Sequence, residues 1–489
     1  MSLVFIGFMG AGKTSAARAV AAELGARPVD SDQVLEERLG MSIEVWFETH
    51  GERAFRDEEE EAVVSLLERD EPVVSLGGGA VTSDRVQSAL ERHTVVLLDV
   101  DSDTAWQRAG GRRPLARDRR RFDELHAQRL PLYERLADAI LPTSKRETVR
   151  QALPHVRNIP AGAKLVWAES ESGAYPVLVG DGLVRQLPDG FVVTDEHVGR
   201  LYAPNGAITI PAGERHKTLS TAEDVLRELA RLGADHDSQV VALGGGVVGV
   251  VAGFCAAVYQ RGIGVVQVPT TIVAQVDSAY GGKTGVDLPE GKNSAGAYHQ
   301  PTAVLADPAT LATLPREEAA AGWAEVVKTA LIAGGALWRR VRDDAPVDRE
   351  MVLACARTKL GVVASDERDA GRRQVLNLGH TVGHAIETVT GYGRYRHGEA
   401  VGLGLLAALS LSNRHALRAE VADLLAARGL PTTLDPAVDL EAVEAAVGRD
   451  KKRRGGVVGF VLVEAPGHVR TGIPVDPDAL RAALQELSA

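Results

Sequence analysis

Aromatic residues and cysteines are scarce in this sequence, and each shortage excludes a class of protein. Phe, Trp and Tyr make up 4% of the 489 residues, so aliphatic side chains must fill the cores. The two cysteines, Cys255 and Cys355, lie in apolar segments. We therefore expect buried free thiols in a reducing cytosol and not a disulfide scaffold.

Long apolar runs are missing too. No run approaches the roughly 20 apolar residues that cross a bilayer, so we expect no membrane partner. The segment Met1 to Ile6 has no basic region and no cleavage site, which predicts no secretion signal and a cytoplasmic location.

Lysine is the rare basic residue: 10 of the 55 basic residues are Lys and 45 are Arg. Because a compact, titratable ammonium does what a guanidinium cannot, each Lys is a candidate for chemistry. The net charge is −11, divided as −5 for residues 1–158 and −6 for the rest, which excludes a basic nucleic-acid module. The apolar fraction of 45% and the charged fraction of 25% are typical of a globular chain of about three domains.

The order of apolar runs predicts an α/β protein. Strand-like runs at 2–6, 72–76 and 94–100 alternate with helical stretches, which indicates a parallel sheet with helices on both faces over 1–158. A second alternation, from KLVWAES to GVVQVPTT, predicts another α/β domain at 162–310. Long Ala/Leu/Glu helical patterns then predict an all-helical domain at 311–489.

A glycine-rich loop follows the first strand. GFMGAGKT at 7–14 fits the phosphate-loop pattern between a strand and a helix. Backbone N–H groups of such a loop wrap phosphate oxygens, the Lys13 ammonium reaches the β/γ-phosphates and the Thr14 hydroxyl holds Mg²⁺. The predicted nucleotide contacts are Gly10, Ala11, Gly12, Lys13, Thr14 and Ser15.

Three further features indicate which kind of molecule accepts the phosphoryl group. Each of them also has a purely structural interpretation. Asp30 and Asp32 end a short predicted strand, where they serve either Mg²⁺ and a substrate hydroxyl or only a helix N-cap. Arg56 is either a ligand or a surface residue of a charged helix. The glycines at 77–79 either let a ligand approach the backbone or make a loop.

Together these motifs resemble shikimate kinase over residues 1–158: GFMGAGKTS, DSD, GERAFRDEE, SLGGGAVT, GGRRPL and QRLPLYERLA stand in that family's order. The resemblance implies in-line transfer of the γ-phosphoryl group of ATP to shikimate, with Asp32 as acceptor of the hydroxyl proton. It implies a shikimate site formed by Asp32, Arg56, Gly78, Gly79 and Arg129. It also implies a lid arginine at Arg113, an adenine-stacking Arg108 and a carboxylate near Mg²⁺ at Asp30.

A metal site is predicted from the second half of the chain. His380 and His384 are four residues apart and share one face if helical, while His397 and Glu325 lie in other segments. Two imidazoles and a carboxylate make a catalytic zinc set. Spacing leaves open which of His380 and His384 is the ligand.

The surrounding motifs are GGGVVG at 244–249, PTT at 269–271, VDSAYGGKTGVDLPEGKN at 276–293, AEVVK at 324–328, LNLGHTVGHAIE at 376–387 and RHGEA at 396–400. With them, residues 162–489 resemble 3-dehydroquinate synthase throughout. The resemblance implies Zn²⁺, or another divalent metal such as Co²⁺, on Glu325, His380 and His397. It implies NAD⁺ contacts at Asp195, Glu214, Lys217, Gly245, Gly246, Thr270, Thr271, Asp277 and Thr313.

The same resemblance implies the residues that hold and convert the acidic sugar-phosphate substrate. They are Lys283, Lys292, Asn293, Lys328, Lys359, Arg373, Asn377 and His384, with Lys451 or Lys452 as a further phosphate contact. Arg261 matches a residue that reaches the neighbouring subunit's site, which implies a homodimer. One position departs from the family: Val250 stands where Asp is usual beside the cofactor, and we expect altered NAD affinity.

The sequence therefore predicts a bifunctional shikimate-pathway enzyme. Its expected reactions are phosphorylation of shikimate, and NAD- and zinc-dependent conversion of 3-deoxy-D-arabino-heptulosonate 7-phosphate to 3-dehydroquinate and phosphate. Three alternatives stay open. They are a metal-dependent polyol dehydrogenase, a secondary-metabolism cyclase acting on another sugar phosphate, and a protein in which one half senses nucleotide and regulates the other.

Overall fold

The computed structural model describes residues 1–109, 118–453 and 458–488, without the side chains of 450–453. The chain divides into two compact units. The first comprises Met1–Trp167 and Pro176–Leu178, and the second comprises Ala168–Tyr175 and Val179–Ala489. The first unit thus includes Lys164–Trp167, which the sequence analysis assigned to the second domain; the boundaries 1–158, 162–310 and 311–489 stay predictions.

The first unit is built on a parallel sheet. Its strands are β1 Leu3–Ile6, β2 Pro28–Asp30, β3 Val73–Ser75, β4 Thr94–Asp99 and β5 Ala139–Pro142, and the residues of β6 Lys164–Glu169 and β7 Ala174–Val179 are divided between the two units. Its helices are α1 Lys13–Glu23, α2 Ser31–Leu39, α3 Ile43–Leu67, α4 Asp84–Leu90, α5 Ser102–Ala109, α6 Arg119–Leu136 and α7 Thr148–Val156. The order is β2-β3-β1-β4-β5-β6-β7, and the registered pairs from β2 to β6 are parallel.

Strand β1 is central and buried along its whole length, as its unbroken apolar sequence LVFI predicts for a strand covered on both faces. Val4 lies in register with Val74 on β3 and Val95 on β4, and the side chains of all three are buried. This core fixes the carboxyl end of β1, from which the glycine-rich loop leads into α1.

The second unit contains a sheet with the order β14-β11-β10-β8-β9, in which all registered pairs are parallel. Its strands are β8 Phe191–Asp195, β9 Ile208–Ile210, β10 Gln239–Gly244, β11 Gly264–Pro269 and β14 Ala303–Ala306, and a separate antiparallel hairpin is formed by β12 Lys283–Leu288 and β13 Gly291–Tyr298. Three helices accompany these strands: α8 Glu196–Tyr202, α9 Leu219–Arg231 and α10 Gly246–Val258.

The C-terminal portion is helical, as predicted, and it also contains a β-hairpin. Its helices are α11 Arg316–Ala333, α12 Gly335–Arg342, α13 Arg349–Ser365, α14 His380–Val389, α15 His397–Leu411, α16 His415–Ala426, α17 Leu440–Arg453 and α18 Pro477–Glu486. The description as all-helical was wrong for β15 Gly459–Ala465 and β16 His468–Pro474, which pair antiparallel. Their hairpin turn at Pro466 and Gly467 was not recognised among the helical patterns.

None of the helices in the described part of the chain has both the length and the apolar character that a membrane crossing requires. Cys255 and Cys355 are buried and unpaired, which confirms the expectation of free buried thiols.

Candidate active sites

The glycine-rich loop of the first unit is shaped by its glycines. Gly10 has φ 83° and Gly12 has φ 89°, backbone conformations that glycine adopts without steric cost. A Cβ on Gly10 would lie 2.5 Å from the carbonyl oxygen of Ala105, so the loop also needs glycine for close packing. Lys13 is the first residue of α1, and its Nζ donates to the carbonyls of Gly7 (3.0 Å) and Phe8 (3.2 Å). The ammonium thus lies across the loop, where it can meet phosphate oxygens.

A hydroxyl–carboxylate cluster lies beside this loop. Thr14 Oγ1 donates to Asp30 Oδ2 at 2.7 Å, and Ser75 Oγ donates to the same oxygen at 2.9 Å. The other oxygen of Asp30 accepts from the backbone N–H of Asp32 at 3.0 Å and so caps α2. The N-cap interpretation of Asp30 is therefore correct, and the same carboxylate faces the Thr14 hydroxyl. Hard oxygen ligands of this kind fit a hydrated Mg²⁺.

The predicted acceptor residues converge around the glycines at 77–79. A Cβ on Gly79 would overlap the Arg56 guanidinium, and a Cβ on Gly77 would lie 2.6 Å from Asp32 Oδ1. Both close approaches require residues without side chains. The glycines therefore allow the backbone to approach Arg56 and Asp32, which are far from each other in the sequence.

The remaining acceptor residue, Arg129, lies on α6 and donates to the carbonyl of Gly78 at 3.3 Å, and Tyr133 Oη donates to the same carbonyl at 2.5 Å. Arg56 Nη1 lies 2.5 Å from Glu59 Oε2. Burial raises the pKa of Glu59, although Arg56 beside it acts in the opposite direction. Sequence reasoning missed Glu59 because it stands in a run of four glutamates whose other members are less buried.

Arg108 is hydrogen-bonded within the protein. Its guanidinium donates to Thr143 Oγ1 at 3.1 Å and to the carbonyl of Thr143 at 3.0 Å. Its adenine stacking stays a prediction. Arg113 lies outside the described residues.

The second unit brings Glu325, His380 and His397 together, with one ligand atom from each residue within 4.8 Å of the others. Glu325 Oε1 lies 3.5 Å from His380 Nε2 and 3.4 Å from His397 Nε2. Glu325 is 1% exposed, so its carboxylate is shielded from water. A buried carboxylate that faces two imidazoles in this way fits a divalent cation such as zinc.

Glycines allow the three helices that carry these groups to approach. His380 and His397 are the first residues of α14 and α15, and Glu325 lies within α11. A Cβ on Gly398 would overlap the carbonyl of Ala321 on α11, and a Cβ on Gly383 would lie 3.0 Å from the carbonyl oxygen of Ala400 on α15. The metal-binding geometry therefore depends on small residues next to the histidines.

A second group of potential ligands, namely His384, Glu387 and His397, also lies within 4.8 Å. His384 is exposed, whereas Glu325 and His380 are more buried. Burial lowers the pKa of His380, which favours the neutral imidazole that a metal needs. Burial also lowers the pKa of His397, but hydrogen bonds to Glu325 and Glu387 outweigh it and raise that pKa to about 9.

Two buried lysines lie beside the carboxylates of Glu325 and Asp277. Lys328 Nζ lies 2.6 Å from Glu325 Oε2 and 3.6 Å from Asp277 Oδ1, and Lys359 Nζ lies 3.0 Å from the same Asp277 oxygen. Burial lowers the pKa of Lys359 to about 8. Asp277, predicted as an NAD contact, thus lies beside the lysines that were predicted to meet the substrate.

A further group of charges leads away from the histidines. Lys292 Nζ lies 2.9 Å from Glu387 Oε1 and 3.5 Å from Glu214 Oε1, and Lys217 lies 3.2 Å from Glu214. Sequence reasoning missed Glu387, although its position one turn after His384 on the face of α14 was a usable indication. Lys283 pairs instead with Asp369 at 2.5 Å.

Several residues predicted to contact NAD⁺ lie at the carboxyl ends of β10 and β11. Gly245 and Gly246 lead into α10, and Thr270 follows β11 with its N–H bonded to the carbonyl of Gly244 at 3.0 Å. The hydroxyl of Thr270 is buried without a hydrogen-bond partner among the described residues, and a Cβ on Gly245 would lie 3.0 Å from Thr271 Cγ2. An orphaned hydroxyl beside a glycine-lined backbone fits a bound dinucleotide.

Two other residues predicted to contact NAD⁺ form hydrogen bonds within the protein. Asp195 caps α8 by accepting from the N–H groups of His197 (2.8 Å) and Val198 (2.9 Å). Thr313 Oγ1 lies 3.1 Å from Tyr202 Oη. Their roles at NAD stay predictions.

Arg373 is buried and donates to the carbonyls of Gly281 (2.8 Å) and Glu367. The backbone N–H of Asn293 donates to Asp287 at 2.7 Å, and Asn377 is half-buried. The side chains of Lys451 and Lys452 lie outside the described part of the structure, so their predicted phosphate contact stays a prediction.

Comparison with known proteins identifies a kinase region and a synthase region in the chain. Family models described as shikimate kinase, 3-dehydroquinate synthase N-terminal and 3-dehydroquinate synthase C-terminal match residues 9–158, 207–321 and 322–453. The 3-dehydroquinate synthase of Halorhodospira halophila is 45% identical over 350 residues, which cover 65% of this chain and 98% of that protein.

Two solved structures are similar to the synthase region. A 2-deoxy-scyllo-inosose synthase complexed with carbaglucose-6-phosphate, NAD⁺ and Co²⁺ has a TM-score of 0.59 at 27% identity, over 66% of this chain and 99% of that one. ValA, the 2-epi-5-epi-valiolone synthase from Streptomyces hygroscopicus subsp. jinggangensis 5008 with NAD⁺ and Zn²⁺ bound, has a TM-score of 0.59 at 26% identity, over 64% and 96%. The chain therefore belongs to the 3-dehydroquinate synthase family and carries a shikimate kinase domain ahead of the synthase region.

Proposed function

We propose that the chain catalyses two reactions of the shikimate pathway at two separate sites. The first unit phosphorylates shikimate with ATP, and the second converts 3-deoxy-D-arabino-heptulosonate 7-phosphate to 3-dehydroquinate and phosphate. The observation that carries the proposal is that each unit brings predicted ligands together: Asp32 and Arg56 at the glycines 77–79 in the first, and Glu325, His380 and His397 in the second.

In the kinase unit, Lys13 and the backbone N–H groups of 10–15 bind the ATP phosphates. Thr14 and, through water, Asp30 hold Mg²⁺. Arg56 and Arg129 bind the shikimate carboxylate, and Asp32 accepts the proton of the attacking hydroxyl. Asp32, Arg56 and Arg129 meet at the glycines 77–79, where a Cβ on Gly78 would lie 3.5 Å from the carbonyl oxygen of Gly7. Catalysis at such a site rests on alignment and charge neutralisation.

In the synthase unit, Glu325, His380 and His397 hold a divalent metal, with zinc or cobalt as the proposed ion. When bound, the metal polarises a substrate hydroxyl and NAD⁺ accepts and returns a hydride. Lys283, Lys292 and Asn293 bind the substrate phosphate, and Lys328 and Lys359 bind its carboxylate and hydroxyls. The ammonium groups offset the negative charge of the substrate, and those of Lys328 and Lys359 do so from buried positions.

A pKa of about 8 suits Lys359 for this site. The ammonium is largely charged at neutral pH and yet can exchange a proton with the substrate. His384, exposed on the same face of α14 as His380, contacts the substrate.

We also propose that the synthase half forms a homodimer in the cytoplasm. Arg261 is exposed at a left-handed backbone position (φ 71°) after α10, a conformation that costs energy and so favours a functional role. The buried free thiols of Cys255 and Cys355 support a reducing compartment.

The alternatives are less well supported. The chain is 45% identical to a 3-dehydroquinate synthase but only 27% identical to the 2-deoxy-scyllo-inosose synthase and 26% identical to the 2-epi-5-epi-valiolone synthase, which argues against a secondary-metabolism cyclase. The buried lysines argue against a polyol dehydrogenase, whose substrates are neutral. The test is to assay the full chain separately for phosphate release from the heptulosonate phosphate and for ADP release with shikimate. Absence of either activity in folded protein would favour the regulatory alternative for that half.

A further inference from the structure

Glu387 ends the motif LNLGHTVGHAIE, yet the sequence analysis gave it no role. Its side chain is 2% exposed on α14, one turn beyond His384. Oε1 lies 2.9 Å from Lys292 Nζ and 3.4 Å from His397 Nδ1, while Oε2 is buried without a hydrogen-bond partner among the described residues. One carboxylate oxygen thus meets both a lysine and an imidazole.

These contacts belong to a continuous row of alternating charges. From Glu387 the row continues through Lys292 and Glu214 to Lys217 on one side, with gaps of 2.9, 3.5 and 3.2 Å. On the other side it continues from Glu387 through His397 to Glu325, with two gaps of 3.4 Å. Glu387 is therefore the link between the lysine proposed to bind phosphate and the histidine proposed to bind metal.

We propose that Glu387 is a positioning residue that orients His397 as a metal ligand and holds Lys292 for the substrate phosphate. The inference rests on the proposed function of the synthase unit. An imidazole has one N–H when neutral, and a carboxylate at Nδ1 fixes that N–H there. Nε2 then carries the lone pair, on the side where Glu325 lies 3.4 Å away. Carboxylates that hold metal-binding histidines in this way raise metal affinity.

The geometry argues against Glu387 as a metal ligand itself. Its Oε1 already meets the Lys292 ammonium at 2.9 Å, and Lys292 also lies over the ring of Tyr392 at 4.8 Å. A divalent cation on this oxygen would be repelled by the ammonium at close range. In Glu325, by contrast, Oε1 faces both histidines while the Lys328 ammonium lies at the other oxygen, Oε2.

The test is a titration of metal-free full-length protein with Co²⁺, followed by its visible absorption, in wild type and Glu387→Gln. We expect Co²⁺ to bind about 10- to 100-fold more weakly in the variant, with an unchanged absorption spectrum at saturation. We also expect a higher KM for the heptulosonate phosphate and unchanged shikimate kinase activity. Glu367→Gln is the matched control, because Glu367 is a buried carboxylate bonded to Ser172 and Gln300, and it should leave Co²⁺ affinity unchanged.

Two outcomes would overturn the proposal. Co²⁺ affinity within twofold of wild type in a folded Glu387→Gln protein means that Glu387 does not orient His397. A changed absorption spectrum at saturation means that Glu387 is itself a ligand. Failure of the wild type to bind Co²⁺ would instead contradict the proposed function of the unit, so the two failures are distinguishable.

Discussion

The two proposed sites are built in opposite ways. The phosphate contacts of the kinase unit come from one continuous stretch, 7–15, whose shape is fixed by backbone conformation at Gly10 and Gly12. The synthase site draws on α11, α13, α14, α15 and the β12–β13 hairpin, and its groups are held by pairing between buried charges. A local site can thus be specified by a short motif, whereas a dispersed site needs the whole fold.

The energetic consequences differ as well. Lys328 and Glu325 are each 1% exposed and 2.6 Å apart. Removing one partner of such a buried pair leaves an uncompensated charge and costs about 3–5 kcal/mol. Substitutions in the kinase loop should therefore change catalysis with little loss of stability, while substitutions in the synthase site should also change folding and metal content.

The strongest test of the dispersed site is His380→Ala. The variant lacks one of the three proposed ligands, so we expect it to lose bound metal and to lose synthase activity to the background of the assay, with kinase activity unchanged. His384→Ala should retain the metal and lose turnover. Metal analysis and synthase assays of both proteins provide the measurement. Retention of metal by His380→Ala together with its loss from His384→Ala would reverse the assignment within the pair.

The corresponding test of the local site is Lys13→Ala. The Lys13 ammonium lies across the phosphate loop, and its loss removes a cation from the transferred phosphoryl group. We expect kcat of the kinase to fall about 10²- to 10³-fold, while the synthase stays near wild type and the melting temperature changes little. An equal loss of both activities in folded protein would show that the two units do not act independently.

A smaller effect is expected where the kinase site depends on packing. A Cβ at Gly79 would overlap the Arg56 guanidinium. Gly79→Ala should displace Arg56 and reduce kcat/KM for shikimate about 10²-fold, with the KM for ATP unchanged. In Gly78→Ala the nearest protein atom would lie 3.5 Å from the new Cβ, so that variant should be impaired less. Equal shikimate kinetics in Gly79→Ala and wild type would argue against Arg56 as a substrate contact.

The same contrast explains what could be predicted from the sequence. Apolar runs predicted β1, β3, β4, β10 and β11, because buried parallel strands are continuous in hydrophobicity. The short strand β5 was missed. So were the β12–β13 and β15–β16 hairpins, whose alternate residues are polar or small and are exposed on one face.

Site residues followed a similar rule. Lys13 and Thr14 could be predicted from the fixed spacing of a phosphate loop, and Glu325 from the motif AEVVK. Glu59 and Glu387 were missed because only the tertiary structure shows that they are buried beside Arg56 and His397.

The smallest expected effect concerns Val250, where this chain departs from the family. Val250 is half-buried in the second turn of α10, which begins at Gly246 beside the proposed NAD site. Val248 and Val251 belong to the apolar cluster under this helix and Val247 packs against it, whereas Val250 is not among its described members. An aspartate at 250 would therefore not enter that core.

We expect Val250→Asp to bind NAD about 2- to 10-fold tighter, since one polar contact contributes about 0.5–1.5 kcal/mol and 1.4 kcal/mol corresponds to about tenfold. Val247→Asp is the matched control: it places the same charge against the apolar cluster, so it should lower stability without tightening NAD. Titration of NAD into the three proteins measures both effects. Weaker binding in Val250→Asp would mean that the pocket has adapted to an apolar residue. The free energy needed to desolvate a carboxylate without a partner would then exceed the free energy gained from its contact with NAD.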